Sequence, residues 1–358
     1  MILLHRHTWS HFIAIGAPFL HSDVRWKAIA LLALLIALLL SISGLNIHNS
    51  YVGRDFMTAV ARREASRFYR LALLYAGGFA VTTMVAIFYR FTEERLGLFW
   101  RQWLTRHLMQ RYLSHHAYYW ITARADIDNP DQRIAEDIRT FTATTLSFAL
   151  ILLNAMITLV AFTGVLWSIT PWLVFAAVAY ALFGSLMTMV LGHRLVGLNF
   201  LQLKKEADLR YDLMRVREEA ESIAYRHGEA QEHARLSRRL TAAVENCKRI
   251  IAVNRNLGFF TTGYNYMTQI IPVLIVAPLY IREDIAFGVV TQAATAFTFV
   301  VGAFSVLVTE FQRLSTFAAV ITRLGAFREA LAETPVPAEP VRTVGEGADR
   351  VAGNIAVW

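Results

Sequence analysis

The stretch R-V-R-E-E-A-E-S-I-A-Y-R-H-G-E-A-Q-E, residues 215–232, decides the fold. It is densely charged, yet it lies in the middle of a mostly apolar chain. On its N-terminal side Leu209, Leu213, Val216, Ala220 and Ile223 recur at steps of four and three. On its C-terminal side Leu236, Leu240, Ala243, Cys247, Ile250, Asn254 and Leu257 do the same, with Asn254 the one polar member. Such spacing lays an apolar stripe along one side of each of two long helices. Gly228 falls between them, where the chain is expected to reverse. The stretch therefore reads as the charged tip of a helical hairpin projecting from a membrane into water. An ordinary solvated helix pair is the plainer alternative.

Composition supports the membrane. Of 358 residues 56% are hydrophobic and 17% charged, and the mean hydropathy is +0.41. A soluble domain carries about 25% charged residues. The net charge of +8 gathers in a few segments and reports orientation rather than nucleic-acid binding, since those segments lack interleaved exposed aromatics. Cys247 is the only cysteine, which excludes an intrachain disulfide and a thiolate metal site.

Six apolar runs are long enough to cross a bilayer: residues 28–45, 71–89, 141–167, 172–191, 259–280 and 287–308. Residues 1–27 carry Trp9, His11, Phe12, Phe19 and Trp26, with Arg25 and Lys27 at the end, and read as an interfacial segment. A cleaved signal peptide is the rival reading there; the leading segment is too long and the apolar run too extended for it. Residues 28–332 form the six-helix transmembrane domain. Residues 333–358 hold Pro335, Pro337 and Pro340 and read as a linker, leading to a domain outside this chain. The long connections follow the second and fourth spans. One side of this plan holds 29 Lys and Arg residues and the other 6, so the richer side and both termini are expected in the cytoplasm. The fold class is all-α and polytopic.

A second informative stretch is D-I-D-N-P-D-Q-R-I-A-E-D, residues 126–137. Asn129 suits an N-cap, Pro130 the first helical position, and Gln132 the return bond of a capping box. Asp131 favours the positive end of the helix dipole. The stretch reads as a firm helix start at the far end of a cytoplasmic excursion, serving either local stability or contact with a partner.

N-P-D-Q-R-I-x-E-D before a span, R-V-R-E-x-A-E-S-I-A-x-x-x-G-E-x-x-E after the fourth and F-F-T-x-G-Y at the fifth together carry a resemblance. Over roughly residues 25–330 the chain resembles the ABC transporter transmembrane domain of the SbmA/BacA-like and peroxisomal ABCD-like type. The resemblance implies an ABC exporter type-1-like architecture, a homodimer, and short coupling helices that dock on nucleotide-binding domains. It places Asn129, Pro130, Asp131, Gln132 and Arg133 in a first coupling region. It places Glu219, Glu221, Tyr225, Arg226, Gly228 and Glu232 in a second, where residues 219–224 correspond to an EAA-like signature. The order Tyr225, Arg226, His227, Gly228 departs slightly from the family's aromatic-Tyr-Arg-Gly. The membrane implied is the bacterial inner membrane.

No G-x-x-x-x-G-K-[ST] phosphate loop occurs in the sequence. ATP and Mg are therefore expected on a nucleotide-binding domain, fused or separate, with no cofactor and no catalytic residue in this chain. The sequence reads as a truncated fusion, as the partner of a separate ATPase chain, or as a proton-coupled importer of peptides or related compounds of the SbmA/BacA branch. A membrane scaffold that transports nothing is a further class. Candidate cavity-lining residues are Asn154, Thr262, Asn265, Gln269, Thr291, Thr295 and Thr298, with interhelical hydrogen bonding as the equal alternative. Glu310 is the candidate proton site, or an interfacial acid paired with Arg313. His115 and His116 are adjacent, which suits surface histidines better than one metal site.

Overall fold

A computed structural model describes residues 6–124 and 129–333; residues 334–358 of the expected linker, and residues 126–128 of the second motif, lie outside them. Among the described residues all regular structure is helical. Helices α1 (Arg6–Leu20), α2 (Arg25–Ala61) and α3 (Ala65–Leu113) are followed by a 3₁₀ turn at Ser114–His116 and by α4 (Ala117–Arg124). A single turn α5 (Pro130–Gln132) and a π-turn at Arg133–Asp137 lead into α6 (Ile138–Ile169). Then come α7 (Pro171–Glu218), the short α8 (Ala220–Tyr225), α9 (Glu229–Ile281), α10 (Phe287–Thr309) and α11 (Phe311–Ala332). Among the described residues six helices are long and apolar enough to cross a membrane, matching the six expected spans in order.

The chain separates into two units. One draws on the described residues of 6–28, 97–144 and 315–333. Its core joins Ile15 of α1, Leu104 and Leu108 of α3, Ile138 and Phe141 of α6, and Ile321, Leu324 and Phe327 of α11. α1 thus buries Ile15 and Phe19 while Trp9 and Ile13 stay exposed.

The other unit draws on residues 29–96 and 145–314. Its core joins Phe162 and Leu166 of α6, Leu173 and Ala177 of α7, Val276 of α9, and Ala293, Phe297 and Val300 of α10. Gly288 lets α10 meet α2 at backbone distance, for a Cβ there would collide with the Arg54 carbonyl. Its N–H donates to Thr58 Oγ1 at 3.2 Å.

One boundary differs from the sequence reading. Residues 46–70 look like a polar connection, but α2 runs on to Ala61 and α3 starts at Ala65. The stretch contains no proline, and Arg63 alone takes the left-handed conformation, at φ 58°, to turn the chain. Phe56, Phe68 and Tyr75 close the turn with ring centroids 5.2 and 5.9 Å apart.

Candidate coupling surface and membrane cleft

α7 and α9 form the expected hairpin, joined along its length by specific rungs. Tyr180 and Tyr264 stack at 4.3 Å, and each hydroxyl donates to the other's carbonyl, at 2.6 and 3.1 Å. Gly184 leaves room for the Tyr264 ring. Farther along, Asn246 Nδ2 donates to Leu198 O at 3.0 Å and to Gln202 Oε1 at 2.9 Å. Nearer the tip, Asp212 has a side chain only 1% exposed and accepts from Arg235 and Arg239, both at 2.9 Å. The Arg239 bond, reinforced by Arg235 against the cost of desolvation, holds the Asp212 carboxyl below its ordinary pKa. At the tip itself Arg215 pairs with Glu232 and, at 3.6 Å, with Glu219.

The reversal is built by His227 rather than Gly228. His227 is left-handed at φ 50°, whereas Gly228 stands at φ −85° as the cap of α9. Gly228 N–H donates to Ile223 O and His227 N–H to Ala224 O, which ends α8 in the manner of a Schellman turn. Arg226 folds back so that its guanidinium donates to Ser222 Oγ at 2.5 Å. Glu221 and Tyr225 are left outward, with Tyr225 89% exposed. Of the expected second region, Glu219 and Glu232 are therefore drawn together by Arg215. Glu221, Tyr225 and Arg226 form the open face of α8.

In the first region Asn129 does not cap by its side chain. It is left-handed at φ 51°, and no side-chain cap bond forms. The residue before a proline is barred from the right-handed helical region, and asparagine tolerates the left-handed one. The Asn129 carbonyl still receives Gln132 N–H at 3.0 Å. Gln132 Nε2 donates forward to Glu136 at 3.3 Å instead of back to the cap. Asn129, Asp131 and Gln132 are exposed, but Arg133 turns inward onto Asp137 at 2.9 Å. Arg323 of α11 adds two bonds to the same carboxylate. Burial alone would raise the Asp137 pKa; the bonds from Arg323 and Arg133 outweigh it and hold it low.

Asp137 ends the second informative stretch but carries no assigned role there, and Arg323, Asp212, Arg235 and Arg239 carry no expectation in the sequence analysis. A signal exists for Asp212: it sits within the apolar stripe beside Leu209, Leu213 and Val216, where an acid must be paired.

Thr291 and Thr295 line a cleft of about 320 Å³ between α2, α3 and α10. Asn154, Thr262, Asn265, Gln269 and Thr298 are exposed and lie outside it. Asn46, Asn49, Ser50 and Arg54, which the sequence reading left in a connection, line it too. Glu310 stands at the junction of α10 and α11, half-buried, with its N–H donating to Val306 O at 3.0 Å. The side chain of Arg313 is outside the described residues. His115 and His116 are exposed, and among the described residues no metal-binding cluster forms.

The family model of the ABC transporter transmembrane region 2 matches residues 17–281. The chain is 41% identical to ABC transporter D family member 2, chloroplastic, of Arabidopsis thaliana, across 94% of this chain and 48% of that protein. It is 40% identical to an uncharacterized ABC transporter ATP-binding protein of Synechocystis sp., across 90% of this chain and 50% of that protein. It is 26% identical to the human lysosomal cobalamin transporter ABCD4, across 82% of this chain and 50% of that protein. The chain spans about half the length of these relatives. Six apolar helices and this match make it an integral membrane protein, and the chain belongs to the ABC transporter transmembrane region 2 family.

Proposed function

We propose that this chain is the membrane half of a homodimeric transporter, in which ATP hydrolysis on nucleotide-binding domains drives substrate across the bilayer. The observation that carries the reading is α8. It is a short helix with exposed Glu221 and Tyr225, held by the Arg215–Glu232–Glu219 ion pairs at the end of α7 and α9. A rigid charged tip of this kind can dock on a partner, so movement there tilts the long helices. ATP and Mg belong to the partner domain, since the chain itself offers no phosphate loop. That domain is attached or separate.

Dimerisation is supported by what the hairpin leaves uncovered. Beyond residue 191, α7 continues for about 40 Å. Phe200, Leu203 and Tyr211 on that part, and Ile251 on α9, are all more than 60% exposed. Outside the lipid such surface needs a cover, and a second copy supplies it. A bacterial inner membrane with both termini in the cytoplasm fits the charge asymmetry.

The test is ATPase activity of the protein gently purified from its native membrane, with co-purifying chains identified. Vanadate-sensitive hydrolysis with a nucleotide-binding domain present is expected. Transport by the dimer in a proton gradient without ATP, abolished by Glu310→Gln, would overturn the reading in favour of proton coupling.

A further inference from the structure

The cleft between α2, α3 and α10 has a lining chemistry that the coupling surface does not explain. Asn46, Asn49 and Gln292 bring carboxamides, while Ser50, Thr291 and Thr295 bring hydroxyls. On α2 these residues share a face, since 46, 49, 50 and 53 follow helical spacing. Gln292 is only 4% exposed, and its Nε2 donates to Ser50 Oγ at 3.3 Å, which fixes both groups at the wall. Asn49 is 5% exposed; its Nδ2 donates to Thr82 Oγ1 and its Oδ1 is buried against Gly78, so its carboxamide ties α2 to α3 at the wall of the cleft.

Charge is absent from this lining except for Arg54, and Arg54 is already engaged. Its Nε donates to Asp55 at 2.9 Å and its guanidinium lies 5.0 Å from the Tyr51 ring centre. An ammonium ligand would find no carboxylate lining the cleft, and a phosphate or carboxylate would meet a single cation that already pairs with Asp55. What remains is a set of carboxamides and hydroxyls, of which Thr291 and Thr295 donate to the carbonyls of Gly288 and Thr291, at 2.9 and 3.1 Å, and are left as acceptors. Beside it stand the rings of Phe56, Tyr75, Phe79 and Phe299. A polyhydroxylated ring can donate to such acceptors and accept from the carboxamides at each hydroxyl, and it has apolar C–H faces between them. At about 320 Å³ the cleft is at the small end of ligand sites, the size for a single ring system rather than an extended peptide. It opens near one end of the membrane helices, since Arg54 lies about 10 Å of helix before the end of α2 and Thr291 is in the first turns of α10.

We infer that this cleft binds a neutral glycosyl group, either as the headgroup of a glycolipid or as a free sugar. The inference names a substrate class for the transport reading and rests on it for the cleft's purpose, but not for its occupancy.

The experiment uses the full chain in phosphatidylcholine nanodiscs, without nucleotide or partner domain. Monoglucosyl diacylglycerol is titrated by native mass spectrometry, with phosphatidic acid of the same acyl chains as the charged counterpart. Saturable binding of one glycolipid per chain is expected, with phosphatidic acid at least about tenfold weaker. The double variant Asn46→Leu, Thr295→Val removes about two hydrogen bonds and weakens the glycolipid about tenfold or more. Thr298→Val, on the same helix but outside the cleft, leaves it unchanged. Methyl glucoside in the same titration separates the sources. Competition identifies a sugar taken from water, and its absence a lipid-linked one. Non-saturable binding, equal or tighter binding of phosphatidic acid, or an unaffected cleft variant that melts like wild type would overturn the inference. None of these readouts depends on ATP hydrolysis, so this site and the transport mechanism can fail separately.

Discussion

Arg323 of α11 donates two hydrogen bonds to Asp137, at 2.7 and 3.0 Å, across 186 positions of sequence. Asp137 is 3% exposed and also accepts from Arg133, which brings the π-turn into the same clamp. One carboxylate therefore fixes the start of α6 to α11, and with it the first expected coupling region.

Removing that carboxylate should destabilise the unit that contains it. Breaking a fully buried pair costs about 3–5 kcal/mol. Arg323 is 39% exposed, so Asp137→Ala is expected to cost about 2 kcal/mol, read as a lower melting temperature. An unchanged melting temperature would contradict the clamp.

The same clamp sets a pH dependence. The Asp137 pKa is depressed in the folded chain. Its stabilisation is therefore complete above the ordinary value of 3.8 and lost as pH falls through the lower folded value. The melting temperatures of wild type and Asp137→Asn should differ by a constant amount above about pH 5 and converge below about pH 4. A gap that closes near neutrality would point to another group.

Gly288 and Gly77 make a contrasting pair. A Cβ at Gly288 runs into the Arg54 backbone, whereas one at Gly77 meets nothing within 4 Å. Gly288→Ala should force α10 from α2 and cost about 1–3 kcal/mol. Gly77→Ala should be neutral or slightly stabilising by helix propensity. Thermal unfolding of the two variants side by side checks the difference.

Asp212 pins the outer part of the hairpin through Arg235 and Arg239. Asp212→Asn should leave the fold in place but speed hydrogen exchange in the adjoining parts of α7 and α9. Exchange in residues 172–191 should stay unchanged. Equal exchange throughout would mean that the apolar stripe alone holds the arms together.

Much of this was legible from the sequence. The six spans were legible because an apolar run of that length has few other uses, and the hairpin because its stripe is periodic on both sides of a charged tip. The outer end of α2 was harder to read. Asn46, Asn49 and Ser50 look like a connection when judged by polarity, yet no helix breaker interrupts them. Turn chemistry is also hard to read: at the hairpin tip and between α2 and α3 the left-handed positions are His227 and Arg63, neither of them glycine. Local spacing cannot reveal that Arg323 meets Asp137, because nothing near either residue names the other.

The most direct test is charge reversal on the open face of α8. Glu221→Arg in the assembled complex, compared with Tyr225→Phe, is measured for both ATP hydrolysis and ATP-driven transport in proteoliposomes. Glu221 is exposed and makes no ion pair among the described residues, so folding should be untouched. The account predicts that Glu221→Arg loses at least about tenfold in transport per ATP hydrolysed, while Tyr225→Phe keeps most of it. Full ATP-coupled transport in a folded Glu221→Arg complex would contradict the assignment of α8 as the coupling element.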